Sequence, residues 1–172
     1  MVATGTGGVS GYAIGLGNFV SGSYGVGLGT GNTANGVSST SIGTANQASG
    51  NTAIAMGRQS YATGDYSIAQ GNIATASGTN AVAIGNGANA TNTNTIAIGT
   101  GANTGAVGVE SVNNIAIGAN AKNGSTVSSN PVGAGGQVAL GANATTTTFA
   151  QIAIGVGANA GPQNYGIAIG GG

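Results

Sequence analysis

The sequence predicts an all-β fold, a parallel β-solenoid of 14-residue coils. Three observations carry that expectation: a glycine that returns every 14 residues, an alternation of large and tiny residues before it, and a second glycine half a period later. The anchor glycine stands at Gly15, Gly29, Gly43, Gly57, Gly71, Gly85 and Gly99; after two longer intervals it returns at Gly118, Gly141, Gly155 and Gly170. A fixed period of this kind marks a repeat architecture before any secondary structure is considered.

Three residues before the anchor stand Tyr12, Val26, Thr40, Ile54, Ile68, Val82, Ile96, Ile115, Val138, Ile152 and Ile167. One before it stand Ile14, Leu28, Ile42, Met56, Gln70, Ile84, Ile98, Ile117, Leu140, Ile154 and Ile169. Between the two lies a small residue, Ala13, Gly27, Ser41, Ala55 and their successors. Period-two alternation rich in β-branched residues predicts a strand whose large and tiny side chains lie on opposite faces. So dense a glycine content disfavours helix.

Seven residues after the anchor come Gly22, Gly36, Gly50, Gly64 and Gly78, with Asn92 in the same place. Glycine and asparagine tolerate positive φ, so these positions predict a second corner. Five residues after the anchor, Val20, Ala34, Ala48, Ala62, Ala76, Ala90 and Thr104 give a second strand of small residues. Two corners and two short strands in 14 residues describe one flattened coil. An antiparallel barrel or meander fits less well, because hairpin strands rarely hold one sequence register through so many copies. Collagen needs glycine at every third position, and the Ca²⁺-binding nonapeptide roll needs an aspartate per repeat.

Composition excludes most chemistry. The 172 residues include 37 Gly, two Lys or Arg, two Asp or Glu, and no His, Cys or Trp. Apart from tyrosines and termini, the ionisable stock is Arg58, Asp65, Glu110 and Lys122. Acid–base and nucleophilic catalysis need such groups placed against one another, and zinc or calcium sites need several ligands. No catalytic, cofactor or metal residue is expected, and the chain is not read as an enzyme. Two cations at zero net charge cannot neutralise a phosphate backbone, so no nucleic-acid partner is expected. Disorder pairs low hydrophobicity with high net charge, whereas mean hydropathy here is positive. Glycine and polar residues interrupt every window of about 20, so no transmembrane helix and no direct membrane insertion are expected.

The apolar content of one coil is small against the entropy of fixing 14 residues, so a solitary solenoid of this composition is marginal. The large residues either fill the coil or meet other copies of the chain. Lateral oligomerisation is the economical solution.

Asn80-Ala-Val-Ala-Ile-Gly-Asn-Gly-Ala-Asn-Ala, Asn94-Thr-Ile-Ala-Ile-Gly-Thr-Gly-Ala-Asn-Thr and Asn114-Ile-Ala-Ile-Gly-Ala-Asn-Ala resemble the head repeat of trimeric autotransporter adhesins of the YadA-like type. The resemblance extends from about Gly8 to Gly170 and implies a left-handed parallel β-roll with three chains side by side. It further implies a homotrimeric, non-enzymatic adhesin head at the bacterial cell surface, held to the outer membrane through a C-terminal region, with a matrix protein, host cell or other surface as ligand. Phage tail fibres or virion spikes built on the same roll are the alternative. An ice-binding solenoid is disfavoured, since Thr91, Thr93 and Thr95, and Thr145 to Thr148, cluster without recurring at one phase.

The expected organisation is one head domain over 1–172, a fragment of a longer fibre, with loop insertions projecting near 105–113 and 123–136. Glu110 lies in the first insertion and Lys122 just before the second. Gln70 and Thr40 break the apolar rows; on a trimer axis, three Gln70 amides would need each other, water or an ion. Arg58 and Asp65, half a coil apart, are read as an ion pair or as solvated charges. Tyr12 is placed in the core row and Tyr61 beside the thin strand, a candidate contact residue. Asn89, Asn123 and Asn143 match glycosylation acceptors but are read as turn residues. Eleven to twelve coils at about 4.8 Å give a rod roughly 55 Å long.

Overall fold

A computed structural model of the chain describes residues 2–5 by their backbone and 10–105, 112–124 and 135–171 in full. Most of both insertions, Glu110 included, lies outside these residues.

The described coils form a parallel β-solenoid. Long strands Val26–Thr30, Thr40–Thr44, Ile54–Arg58 and Ile68–Asn72 stack on one another and continue through Val82–Ile84, Ile96–Ile98, Ile115–Ile117, Val138–Leu140, Ile152–Ile154 and Ile167–Ile169. Register is strict: Ile54 pairs with Thr40 and Ile68, and Ile96 with Val82 and Ile115, so the period holds across the first insertion. Short strands of two residues, such as Gln47–Ala48, Tyr61–Ala62 and Thr75–Ala76, form the opposite wall in the same parallel register.

The tiny residue of each long strand points inward. Ala55, Ala69, Ala83 and Ala97 are fully buried, as are Ala48, Ala62, Ala76 and Ala90 on the facing wall. The central core cluster, from Ala48 to Ala102, is built of alanine alone. Where these two walls face each other the apolar filling is little more than methyl groups. Val20 is the larger apolar exception, and glycine makes space for it: a Cβ on Gly27 would lie 2.8 Å from Val20 Cγ2, and one on Gly11 2.9 Å from Cγ1. Elsewhere the coils also enclose whole amide side chains, Gln137 and Gln151 being fully buried. The large residues therefore face outward, which resolves the two placements open to them. Tyr12 stands in this outward row, 64% exposed, and not in the core.

The second corner differs from expectation in its backbone. Its positive φ falls two residues beyond the glycine, at Tyr24, Ser38, Thr52, Tyr66, Asn80 and Asn94. The left-handed residue turns its N–H back to the preceding coil, as in Thr52 to Val37 O (2.7 Å) and Asn94 to Thr79 O (2.9 Å), which offsets the strain. The glycines are needed for another reason: a Cβ on Gly36 or Gly50 would run into the carbonyl of the glycine one coil on.

The first corner is closed in two ways, one in the coils up to Ser60 and the other beyond it. Where Asn or Ser follows the anchor by three, the side chain closes the corner; where Ala does, the backbone can. Asn32 and Asn46 are buried and form a ladder with Asn18. Asn32 Nδ2 donates to Asn18 Oδ1 (3.0 Å), Leu28 O (3.0 Å) and Gly43 O (2.8 Å), and Asn32 Oδ1 accepts from the Asn46 N–H (3.1 Å). Ser60 ends the ladder, its N–H on Asn46 Oδ1 and its hydroxyl on Gly71 O. At Ala102, by contrast, the backbone N–H reaches Gly99 O (3.2 Å).

Ile73 occupies a left-handed position (φ 57°) at the first corner that Gly17, Gly31 and Gly87 take elsewhere, and it is half exposed. A β-branched residue pays about 1–2 kcal/mol there. Ile73→Gly is expected to raise stability by about 1 kcal/mol and the melting temperature by about 2–4 °C, read by circular dichroism. A lower melting temperature would show that contacts of the side chain outweigh the strain.

Candidate interaction face

The feature that asks for a partner is the outward side of the long strands. Inward positions are filled by alanine, so the residues flanking each one, Ile54 and Met56, Val82 and Ile84, Ile96 and Ile98, stand in two parallel rows half covered by their own coil neighbours. Coverage falls away at the described ends: Ile14 and Leu16 are 53% and 63% exposed, Ile167 and Ile169 67% and 75%. A contiguous apolar stripe along a rod greatly exceeds the scattered exposed residues that a soluble monomer carries and marks an interaction site.

Charge is nearly absent from this face. Arg58 lies exposed at the end of its strand. Asp65 sits at the second corner, where its carboxylate accepts the Asn51 N–H (2.8 Å), in the place that Asn51 takes one coil earlier toward Val37. The aspartate thus extends an amide ladder, a role that spacing alone did not suggest. Lys122 lies on a short strand, paired in register with Thr145. Among the described residues no group of three or more His, Cys, Asp or Glu is placed to hold a metal ion.

Polar side chains line the second corner. Asn80 Nδ2 donates to Asn94 Oδ1 (3.0 Å), and Asn94 Nδ2 to Asn113 Oδ1 (3.2 Å), an exposed amide ladder. Tyr24, Tyr66 and Tyr165 share that corner position with φ near 60° and project into solvent. Tyr61 is exposed and lies on the short strand itself. The interior asparagine ladder and the exposed one escaped the sequence reading, although Asn18, Asn32 and Asn46 share the 14-residue spacing.

A coil with alanine inside, large apolar residues outside and stacked glycines at its corners matches a known family. The model of the YadA head domain repeat matches residues 48–72 and 76–102. These two stretches are YadA head repeats. Those two stretches lie where the 14-residue spacing is unbroken, and the coils continue in register on both sides, from Thr40 below to Ile115 above. No curated protein matches the chain. The YadA head is an adhesin-type structural module. Among the described residues no helix is long and apolar enough to cross a membrane.

Proposed function

We propose that the chain is one non-enzymatic adhesin head segment in which three copies pack side by side, turning their large apolar rows toward a common axis. The observation that supports this reading is the pair of half-exposed apolar rows, kept in register from Tyr12 to Ile169 on coils whose interior is already filled. Assembly covers what the single chain leaves open and supplies the burial that one thin coil lacks. The second corners, with their asparagine ladder and exposed tyrosines, remain on the outside of such a rod. They offer a low-charge surface to extracellular matrix proteins, host cells or other surfaces, and repetition multiplies weak contacts. In this reading the head stands at the bacterial cell surface, held to the outer membrane by a region outside this sequence, and the two insertions project from the shaft as loops.

Light scattering at several concentrations tests the assembly. A mass near three times 15.9 kDa is expected, unchanged by added salt because the face is apolar and scarcely charged. Ile68→Asp is expected to give monomers, and surface-immobilised matrix proteins should retain the assembled chain more strongly than that variant. A folded monomer at all concentrations would overturn the reading.

A further inference from the structure

A repetitive face has a problem that a unique one does not: it fits itself in more than one way. Sliding one copy along another by one coil, about 4.8 Å, sets Ile54 against the place of Ile68, and Ile84 against the place of Ile98, with almost no change in shape or chemistry. Register is weakly specified wherever successive units are alike. We propose that Gln70 fixes the axial register in which copies of this chain pack against one another; the inference rests on the side-by-side reading above.

Gln70 lies in the outward row, its Cα paired in register with Met56 on one side and Ile84 on the other. It is exposed, whereas Met56 and Ile84 are half buried. Gln70 is the one amide in a row otherwise made of Ile, Leu and Met. Thr40, in the companion row, also interrupts it, but a threonine hydroxyl can be satisfied by its own backbone. A glutamine amide, with two donors and a carbonyl at the end of a long side chain, needs partners from elsewhere.

When copies align, their Gln70 amides meet at one level and can donate and accept among themselves. When one copy is slipped by a coil, its amide meets Met56 or Ile84 of its neighbours and is buried without a partner, which disfavours the slipped state. A single polar residue in an apolar seam specifies register in coiled coils by the same physics, at some cost in stability.

The test reads the register directly. The chain has no cysteine, so I84C and I98C variants, one of them heavy-isotope-labelled, are unfolded, mixed, refolded together and oxidised, and their disulfides are identified by mass spectrometry. Aligned copies bring like positions together, 84 to 84 and 98 to 98, whereas a slip of one coil brings 84 to 98. With Gln70 in place the 84-to-98 links are expected about tenfold below the like-position links. With Q70L in both chains assembly should persist, resist heat better, and show the two kinds of link at similar frequency. Slipped links equally rare or equally frequent with Gln70 and with Q70L would overturn the register role while leaving the assembly intact. Monomers throughout would overturn the side-by-side reading itself. I42C and M56C place the same pair of reporters on the other side of Gln70 should the first pair not assemble.

Discussion

Gly50→Ala is expected to lower stability by about 3 kcal/mol, the upper end of what overpacking costs, and the melting temperature by about 6–12 °C. Gly50 is not held in a left-handed conformation; its φ is absent from the positive set that includes Gly43 and Gly57. What forbids a side chain is the next coil. A Cβ there would collide with the Gly64 carbonyl and come within 2.8 Å of the Asp65 N–H nitrogen. Both are backbone atoms of a hydrogen-bonded ladder, in which the Ser49 N–H bonds Ala62 O at 2.9 Å, so neither moves cheaply. Gly31→Ala provides the contrast. Gly31 has φ 65° with nothing within 4 Å of an added Cβ, so it pays conformational strain alone, about 1–2 kcal/mol. Thermal melts of the two variants, followed by circular dichroism, separate the effects. Equal losses would show that stacking clearance is not what selects glycine at the second corner.

Asn32→Leu is expected to cost about 3–5 kcal/mol, because an isosteric apolar side chain leaves several buried groups without partners at once. Leu28 O and Gly43 O lose a donor, and the Asn46 N–H loses its acceptor. Asn32→Ala should cost less. Gly29-Thr30-Gly31-Asn32 and Gly99-Thr100-Gly101-Ala102 differ only in the last residue, and the second closes through its own backbone, Ala102 N–H to Gly99 O. The alanine variant can adopt that closure; the leucine side chain keeps the place of the amide and offers neither donor nor acceptor. Hydrogen exchange at the Asn46 amide gives a local readout, faster in both variants and most of all in Asn32→Leu. A leucine variant that melts like the parent chain would show that the ladder adds nothing to stability.

The exchange between these two corners shows what was readable and what was not. Periodicity gave the coil length, the position of each strand, the opposition of large to tiny residues, and the corner glycines, because a repeat makes each of these appear many times over. Asn18, Asn32 and Asn46 carried the same period, but nothing in their spacing says that a residue three beyond the anchor points inward. In solution terms an asparagine there reads as an ordinary turn residue. Its burial, and hence its duty to satisfy carbonyls of two coils, follows only from the path of the chain through the corner. Asp65 is a similar case. Its distance from Arg58 suggested an ion pair or solvated charges, and the fold adds a role that neither named: it stands in line with Asn51, accepting a backbone N–H.

Sequence alone determined that this chain is a parallel solenoid of 14-residue coils with YadA-type repeats, since period, alternation and glycine placement are one-dimensional facts. Tertiary structure decided which side of the alternation is the inside. Both assignments satisfy the period-two rule, but only the tiny residues fit between walls as close as those carrying Ala55 and Ala62. Once alanine fills the interior, the isoleucines have nowhere to go but out, and the apolar face that the adhesin reading uses is a consequence of that narrowness.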